Sequence, residues 1–72
     1  MNITPTLAER RKAMGLSQEQ LASLLGITQG TISRNETTDD PDKRYILSLD
    51  ALAFRHAAGE NLATTAERVR AA

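Results

Sequence analysis

The sequence predicts an all-α fold, a compact bundle of four to five helices. Apolar residues recur at spacings of three and four, which is the period of an amphipathic helix. Serine, threonine and aspartate precede these apolar runs as N-caps, and glycine follows several of them as a stop signal. The chain has 72 residues and no cysteine, so neither disulfides nor thiolate metal sites support its modest core.

Helix 1 is expected to run from about Pro5 to Met14, with Thr4 as its N-cap and Gly15 as its end. Proline suits the first position of a helix because its missing N–H would be unpaired there anyway. The inward face of this helix consists of Leu7, Ala8, Arg11 and Met14.

Helix 2 begins at a capping box formed by Ser17 and Gln20 and ends at Gly26. Ile27 is expected to enter the core at the turn. Helix 3 follows from its cap Thr28 to about Asn35. The inward residues of these two helices are Leu21, Leu24, Leu25 and Ile32. Because helix 3 has so little apolar surface, most of its circumference should remain free of packing contacts.

Helix 4 is predicted to start at Pro41 with Asp40 as its cap, and to run to about Ala58 before Gly59 ends it. One broad face should pack on helices 1 to 3; it consists of Tyr45, Ile46, Leu49, Leu52, Ala53 and His56. The domain is expected to span residues 1–59. Residues 60–72 form a C-terminal tail, in which Thr64 and Glu67 predict the capping box of a short helix.

A second apolar stripe on helix 4 consists of Leu47, Ala51, Phe54 and Ala58. A domain this small can hardly cover helix 4 on both sides. The stripe is therefore interpreted as a homodimer interface. In the alternative interpretation, Leu62 and Val69 of the tail fold back over Phe54.

Composition excludes several functional classes. No catalytic Ser/His/Asp set, paired carboxylates or phosphate loop is present, and His56 stands alone, so we expect no enzyme, cofactor or metal. Only Tyr45 and Phe54 are aromatic, which argues against base stacking on single strands. The start of the chain lacks the basic and apolar regions of a signal peptide, and no apolar run could span a membrane; a cytoplasmic location is expected.

The spacing of residues 11–36 resembles the Cro/cI-type, or phage repressor-like, helix-turn-helix family. The matching positions are Arg11, Gly15-Leu16-Ser17-Gln18, Leu21-Ala22, Leu25-Gly26-Ile27-Thr28, Ile32-Ser33 and Glu36. The resemblance covers about residues 5–53. It implies a lambda-repressor-like fold and a regulator that binds double-stranded DNA, with helix 3 in the major groove. It also implies a partly buried ion pair between Arg11 and Glu36 that fixes the orientation of helix 3.

Candidate DNA contacts follow from this placement of helix 3. Gln29 can pair with adenine and Arg34 with guanine, while Thr31 can meet a thymine methyl group or a phosphate. Gln18 matches the family position that grips a phosphate and buttresses the first residue of helix 3. The full predicted set is Gln18, Thr28, Gln29, Gly30, Thr31, Ser33, Arg34, Thr37, Lys43 and Arg44.

Two features of the sequence are unusual for a protein that binds DNA strongly. Nine basic and nine acidic residues cancel, although nucleic-acid-binding domains are usually basic. Asp39, Asp40 and Asp42 should repel phosphate from the loop after helix 3. The leading hypothesis is a repressor that binds a palindromic operator as a homodimer. The alternative is a protein-interaction module, such as an antitoxin or an adaptor subunit.

Overall fold

The computed structural model describes residues 4–72. Within this range the chain forms five helices and no strand, which confirms the predicted all-α bundle. The helices are α1 (Leu7–Ala13), α2 (Gln18–Leu25), α3 (Gln29–Thr37), α4 (Lys43–Ala57) and α5 (Leu62–Ala71). Residues 1–3, part of the stretch interpreted as lacking a signal peptide, lie outside the described range.

The predicted boundaries of α2 and the predicted start of α3 are confirmed. Ser17 and Gln20 form the capping box of α2, with each side chain bonded to the other residue's backbone N–H. Gly26 ends α2 in the left-handed conformation, with φ of +69°, which a glycine adopts without the steric cost of a Cβ atom. Thr28 caps α3 by accepting a hydrogen bond from the backbone N–H of Thr31.

The predicted start of α1 is wrong by two residues. Thr6, not Thr4, is the N-cap, because its hydroxyl accepts from the N–H of Glu9 and the Glu9 carboxylate accepts from the N–H of Thr6. Thr4 has Leu7 three residues further on, which cannot complete such a pair.

The predicted start of α4 is also wrong. Asp42 is the N-cap rather than Asp40, and Pro41 precedes the helix instead of opening it. The backbone N–H of Asp42 donates to the side chain of Asn35 at 2.8 Å, while the Asp42 carboxylate accepts from the N–H of Arg44. These two bonds hold Asp42 in an extended conformation, so the helix begins one residue later.

The C-terminal helix is longer than predicted. It begins at Leu62, and its cap is Asn61, whose side chain accepts from the N–H of Thr64; the predicted Thr64–Glu67 capping box is therefore wrong. Leu62 and Ala66 are both buried, and α5 packs chiefly along α2 and also against α4. Burial of Leu62 extends the helix toward its N-terminus, because the extra turn gains apolar contacts.

A single core cluster lies between the helices. It consists of Met14, Leu16, Leu21, Ala22, Ile32, Tyr45, Leu49, Leu52 and Leu62. Two residues that were predicted to enter it do not. Ile27 keeps 37% of its surface exposed at the turn, and His56 is exposed because it lies in the last turn of α4, lining an open cleft beside Gly15. Phe54 is not covered by the tail either, since Leu62 is in the core while Phe54 remains 78% exposed.

Among the described residues, no helix combines the length and the apolar character needed to cross a bilayer.

Candidate nucleic-acid interface

Helix α3 touches the rest of the domain along a narrow edge. Ile32 is fully buried and Asn35 almost so. At 100° per residue, the opposite side of the helix carries Gly30, Ser33, Arg34 and Thr37, all exposed, with Gln29 exposed at one flank. The helix therefore presents a continuous polar face that no other helix of the described chain covers.

An ion pair fixes this helix to α1. The Nε of Arg11 donates to Glu36 at 2.6 Å, and a second guanidinium nitrogen donates to the other carboxylate oxygen at 3.3 Å. The remaining guanidinium nitrogen donates to the carbonyl of Leu16 at 2.9 Å. The two side chains are only 9% and 6% exposed, so the pair lies inside the domain. The fold thus brings together Arg11 and Glu36, for which the family resemblance implies an ion pair.

The carboxylate of Glu36 stays ionised in spite of its burial. Burial by itself would raise the pKa of Glu36, but hydrogen bonds from Arg11 and Gln18, together with the charge of Arg11, outweigh it and hold the pKa below its ordinary value. The carboxylate therefore remains a charged acceptor at neutral pH and keeps the end of α3 in one position.

Gln18 links this pair to the exposed face. Its amide nitrogen donates to Glu36 at 3.0 Å, and its amide oxygen accepts from the side chain of Gln29 at 3.3 Å. Gln29 is the first residue of α3, so its side chain is held at the start of the polar face by a partner that is itself anchored in the interior. Fewer rotamers are then open to Gln29 before it meets a ligand, which lowers the entropic cost of binding.

The threonines of α3 are engaged within the helix. The hydroxyls of Thr28 and Thr31 lie 2.9 Å apart, and the hydroxyl of Thr37 donates to the carbonyl of Ser33 at 3.0 Å. By contrast, the side chains of Ser33 and Arg34 make no hydrogen bond to any residue in the range 4–72. Ser33 and Arg34 are therefore the readiest donors on the outward side.

Gly30 leaves a gap between Gln29 and Ser33. It has a helical rather than a positive φ, and an added Cβ would meet only the Thr28 hydroxyl, at an ordinary contact distance of 3.8 Å. Neither the backbone conformation nor the protein interior requires a glycine here. Its effect is to leave the backbone of α3 bare where a ligand would approach.

The loop between α3 and α4 brings opposite charges into one open cleft of about 400 Å³. Arg34 and Lys43 line this cleft together with Asp40 and Asp42. Lys43 and Arg44 are exposed in the first turn of α4. The acidic side chains thus lie beside the predicted cations, where they weaken the attraction of this edge for an anion.

Asn35 has a structural role that sequence reasoning missed. Its amide nitrogen donates to the carbonyl of Thr31 at 2.9 Å, and its amide oxygen accepts from the backbone N–H of Asp42. The side chain therefore sets the direction of the loop that leads to α4. Its position three residues after Ile32, on the inward face, was the signal that could have indicated a buried hydrogen-bonding role.

Tyr45 lies next to the ion pair. Its hydroxyl is buried and has no hydrogen-bond partner among residues 4–72. Burial, followed by the nearby charge of Glu36, raises the pKa of Tyr45 to about 12. The ring thus fills the core, while the unpaired hydroxyl lowers the free energy of unfolding.

The second stripe of α4 is exposed. Leu47 and Phe54 keep 67% and 78% of their surfaces accessible, and Ala51 and the C-cap residue Ala58 are exposed beside them. Leu49 and the rest of the buried face point the other way. The fold therefore brings the four predicted interface residues onto one uncovered side of the domain.

Comparison with protein families matches residues 7–52 to a family described as Helix-turn-helix. Neither the search of curated proteins nor the search of solved structures gave a significant match. The matched region includes α1 to α3, the buried ion pair and most of α4. It covers more than half of the chain, and it agrees with the geometry of the polar helix and its turn. The protein belongs to the Cro/cI-type helix-turn-helix family of DNA-binding transcription regulators.

Proposed function

We propose that this protein is a sequence-specific repressor that binds a palindromic operator in double-stranded DNA as a homodimer. The observation that carries the proposal is the uncovered polar face of α3, held rigidly by the Gln18–Glu36–Arg11 network. An α-helix fits the major groove, and a helix fixed from behind can distinguish base edges. Occupation of the operator would exclude polymerase or another factor.

Within this proposal, the outward residues divide into two groups. Gln29 and Arg34 read bases, since an amide matches adenine and a guanidinium matches guanine. Ser33 supports them at short range. The remaining predicted contacts position the helix on the sugar-phosphate backbone, and they are Gln18, Thr28, Gly30 through its main chain, Thr31, Thr37, Lys43 and Arg44. The acidic loop predicts modest affinity for each protomer, so a second protomer on the adjacent half-site is needed for tight binding.

Selection of bound duplexes from a random DNA pool at physiological salt tests the proposal. The wild type should enrich a palindrome, and the double variant Gln29→Ala/Arg34→Ala should not. Arg68→Ala is the matched control, because it removes one cation from the exposed surface of α5 and leaves α3 intact. Circular dichroism confirms that each variant is helical. The proposal fails if the folded wild type enriches no sequence, or if the double variant enriches the same palindrome.

The exposed stripe of α4 favours a second candidate function, a protein-interaction module such as an antitoxin. Salt dependence separates the two. DNA binding through phosphates weakens steeply as salt rises, whereas apolar binding to a protein partner does not.

A further inference from the structure

The exposed stripe of α4 has the spacing of a coiled-coil seam. Leu47, Ala51, Phe54 and Ala58 are separated by four, three and four residues, which is the alternation of the core positions in a heptad repeat. The exposed face of a helix does not require apolar residues at this spacing unless another helix packs against it. The stripe also alternates in size, because a large side chain is followed by alanine twice in succession.

Reversing the order of the stripe places a small residue wherever a large one stood. If two copies of α4 pack antiparallel about a twofold axis that passes midway between Ala51 and Phe54, each Leu47 lies opposite the Ala58 of the other copy. Each Ala51 then lies opposite the other copy's Phe54. Every layer thus combines one large and one small side chain, which is the arrangement that fills space between two close helices.

We propose that the stripe is a homodimer seam in which two α4 helices pack antiparallel, with Leu47 against Ala58 and Ala51 against Phe54. The inference rests on the homodimer of the proposed function and gives it a surface and a direction. A parallel pair would instead place Phe54 on Phe54 and Ala51 on Ala51. That arrangement crowds one layer and empties the next.

The charges that flank the stripe agree with a second copy as the occupant. Asp50 is paired with Arg10 of α1, and Arg55 is paired with Glu60, both within one protomer. Lys43 and Arg44 also flank the stripe, but an antiparallel pair places those of the two copies at opposite ends of the seam. Two copies of the seam can therefore approach without bringing together unpaired like charges.

Cysteine pairing tests the direction, because the natural chain has no cysteine. The single variants Leu47→Cys and Ala58→Cys are oxidised separately and as an equimolar mixture in a glutathione buffer. Antiparallel packing predicts that the mixed disulfide exceeds either homodisulfide by at least about tenfold, owing to the high local concentration of the paired thiols. Thr64→Cys, exposed on α5, measures the background of random collisions.

A second pair of variants tests the packing of the layers. Ala51→Phe should weaken dimerisation in sedimentation experiments by at least about tenfold, because the introduced ring then meets Phe54 of the other copy. The exchange Ala51→Phe/Phe54→Ala should restore it. Both positions are exposed in the protomer, so folding is expected to survive.

Homodisulfides that form as readily as the mixed one, or crosslinking no faster than at Thr64→Cys, would overturn the antiparallel seam. Failure of the exchange variant to restore dimers would do the same. DNA selection keeps the two proposals apart. A palindrome without the mixed disulfide would place the dimer contact elsewhere, and a mixed disulfide without DNA enrichment would leave the seam standing while removing the operator.

Discussion

Removal of the carboxylate of Glu36 should destabilise the domain far more than an ordinary surface substitution. In Glu36→Gln, the guanidinium of Arg11 stays buried but loses its only charged partner, and it keeps the Leu16 carbonyl and the neutral amide oxygen of the new side chain as acceptors. Breaking a buried ion pair in this way costs about 3–5 kcal/mol. A chain of this length has a free energy of unfolding of about 4–11 kcal/mol, so the loss is a large fraction of the total.

Urea unfolding followed by circular dichroism measures this loss. In a thermal unfolding experiment, the melting temperature should fall by about 12–40 °C, because domains of this size usually lose 4–8 °C for each kcal/mol. Glu67→Gln is the matched control, because it makes the same chemical change in the exposed Arg70–Glu67 pair and should cost less than about 1 kcal/mol.

The double variant Arg11→Met/Glu36→Met should recover much of the stability lost by Glu36→Gln, since no charge is then left unpaired. The reasoning is refuted if Glu36→Gln unfolds at the same urea concentration as Glu67→Gln. It is equally refuted if the double variant is less stable than Glu36→Gln, because the cost would then lie in lost contacts rather than in a stranded charge.

Changes of pH and of three residues have further defined outcomes. The depressed pKa of Glu36 contributes stability that is present above about pH 4.5 and is lost as the pH falls through the folded-state value, so acid should shift the urea midpoint of the wild type more than that of Glu36→Gln. Tyr45→Phe removes a buried hydroxyl without a partner and should raise the free energy of unfolding by about 1 kcal/mol. Because the pKa of Tyr45 is raised to about 12, the wild type should also lose stability between about pH 10 and 12, a loss that the phenylalanine variant lacks; equal alkaline midpoints would contradict this. Gly30→Ala should stabilise α3 by about 1 kcal/mol in thermal unfolding. Weaker binding of this variant to the selected operator would show that DNA approaches the bare backbone of α3. Unchanged binding would show that it does not. Asp40→Asn should tighten operator binding by about 0.2–1 kcal/mol in a low-salt titration, an effect that should fade as salt rises.

Local chemistry explains which helix boundaries the sequence predicts correctly. Ser17 and Gln20 satisfy each other's backbone groups, and Gly26 is the residue best suited to the left-handed turn. Both features depend on residues three or four positions apart, so no knowledge of the tertiary structure is required. The start of α1 could have been predicted by the same rule, because Thr6 and Glu9 have the capping-box spacing that Thr4 lacks.

The other boundaries depend on contacts between distant parts of the chain. Asp40 and Asp42 are equally good caps in isolation, and the hydrogen bond from Asp42 to Asn35 of α3 decides between them. Asn61 becomes the cap of α5 because Leu62 enters the core beside α2. Neither contact is visible as a local pattern, since each joins elements that meet only in the folded domain.

Within the candidate site, sequence spacing predicts which side chains share the outward face of α3 but not how they are held. Helical geometry places Ser33 and Arg34 on that face, and the structure adds that both lack internal partners in the described chain. It also shows that the hydroxyl of Thr31 is hydrogen-bonded to the hydroxyl of Thr28. These differences arise from rotamers, which a helical wheel does not specify.

The hydrogen bonds of Gln18 connect the stability of the domain to the geometry of its polar face. One end of the amide contacts the buried carboxylate of Glu36, and the other end contacts Gln29 at the start of α3. If the Gln18 amide were hydrogen-bonded only to water, it could not hold Gln29, because an exposed amide gains little free energy from any one orientation. With Glu36 fixed by Arg11, the position of Gln18 is set from the interior, and so is the choice of orientations open to Gln29. The same ion pair that keeps α3 in place therefore also prepares the first residue of its outward face for contact.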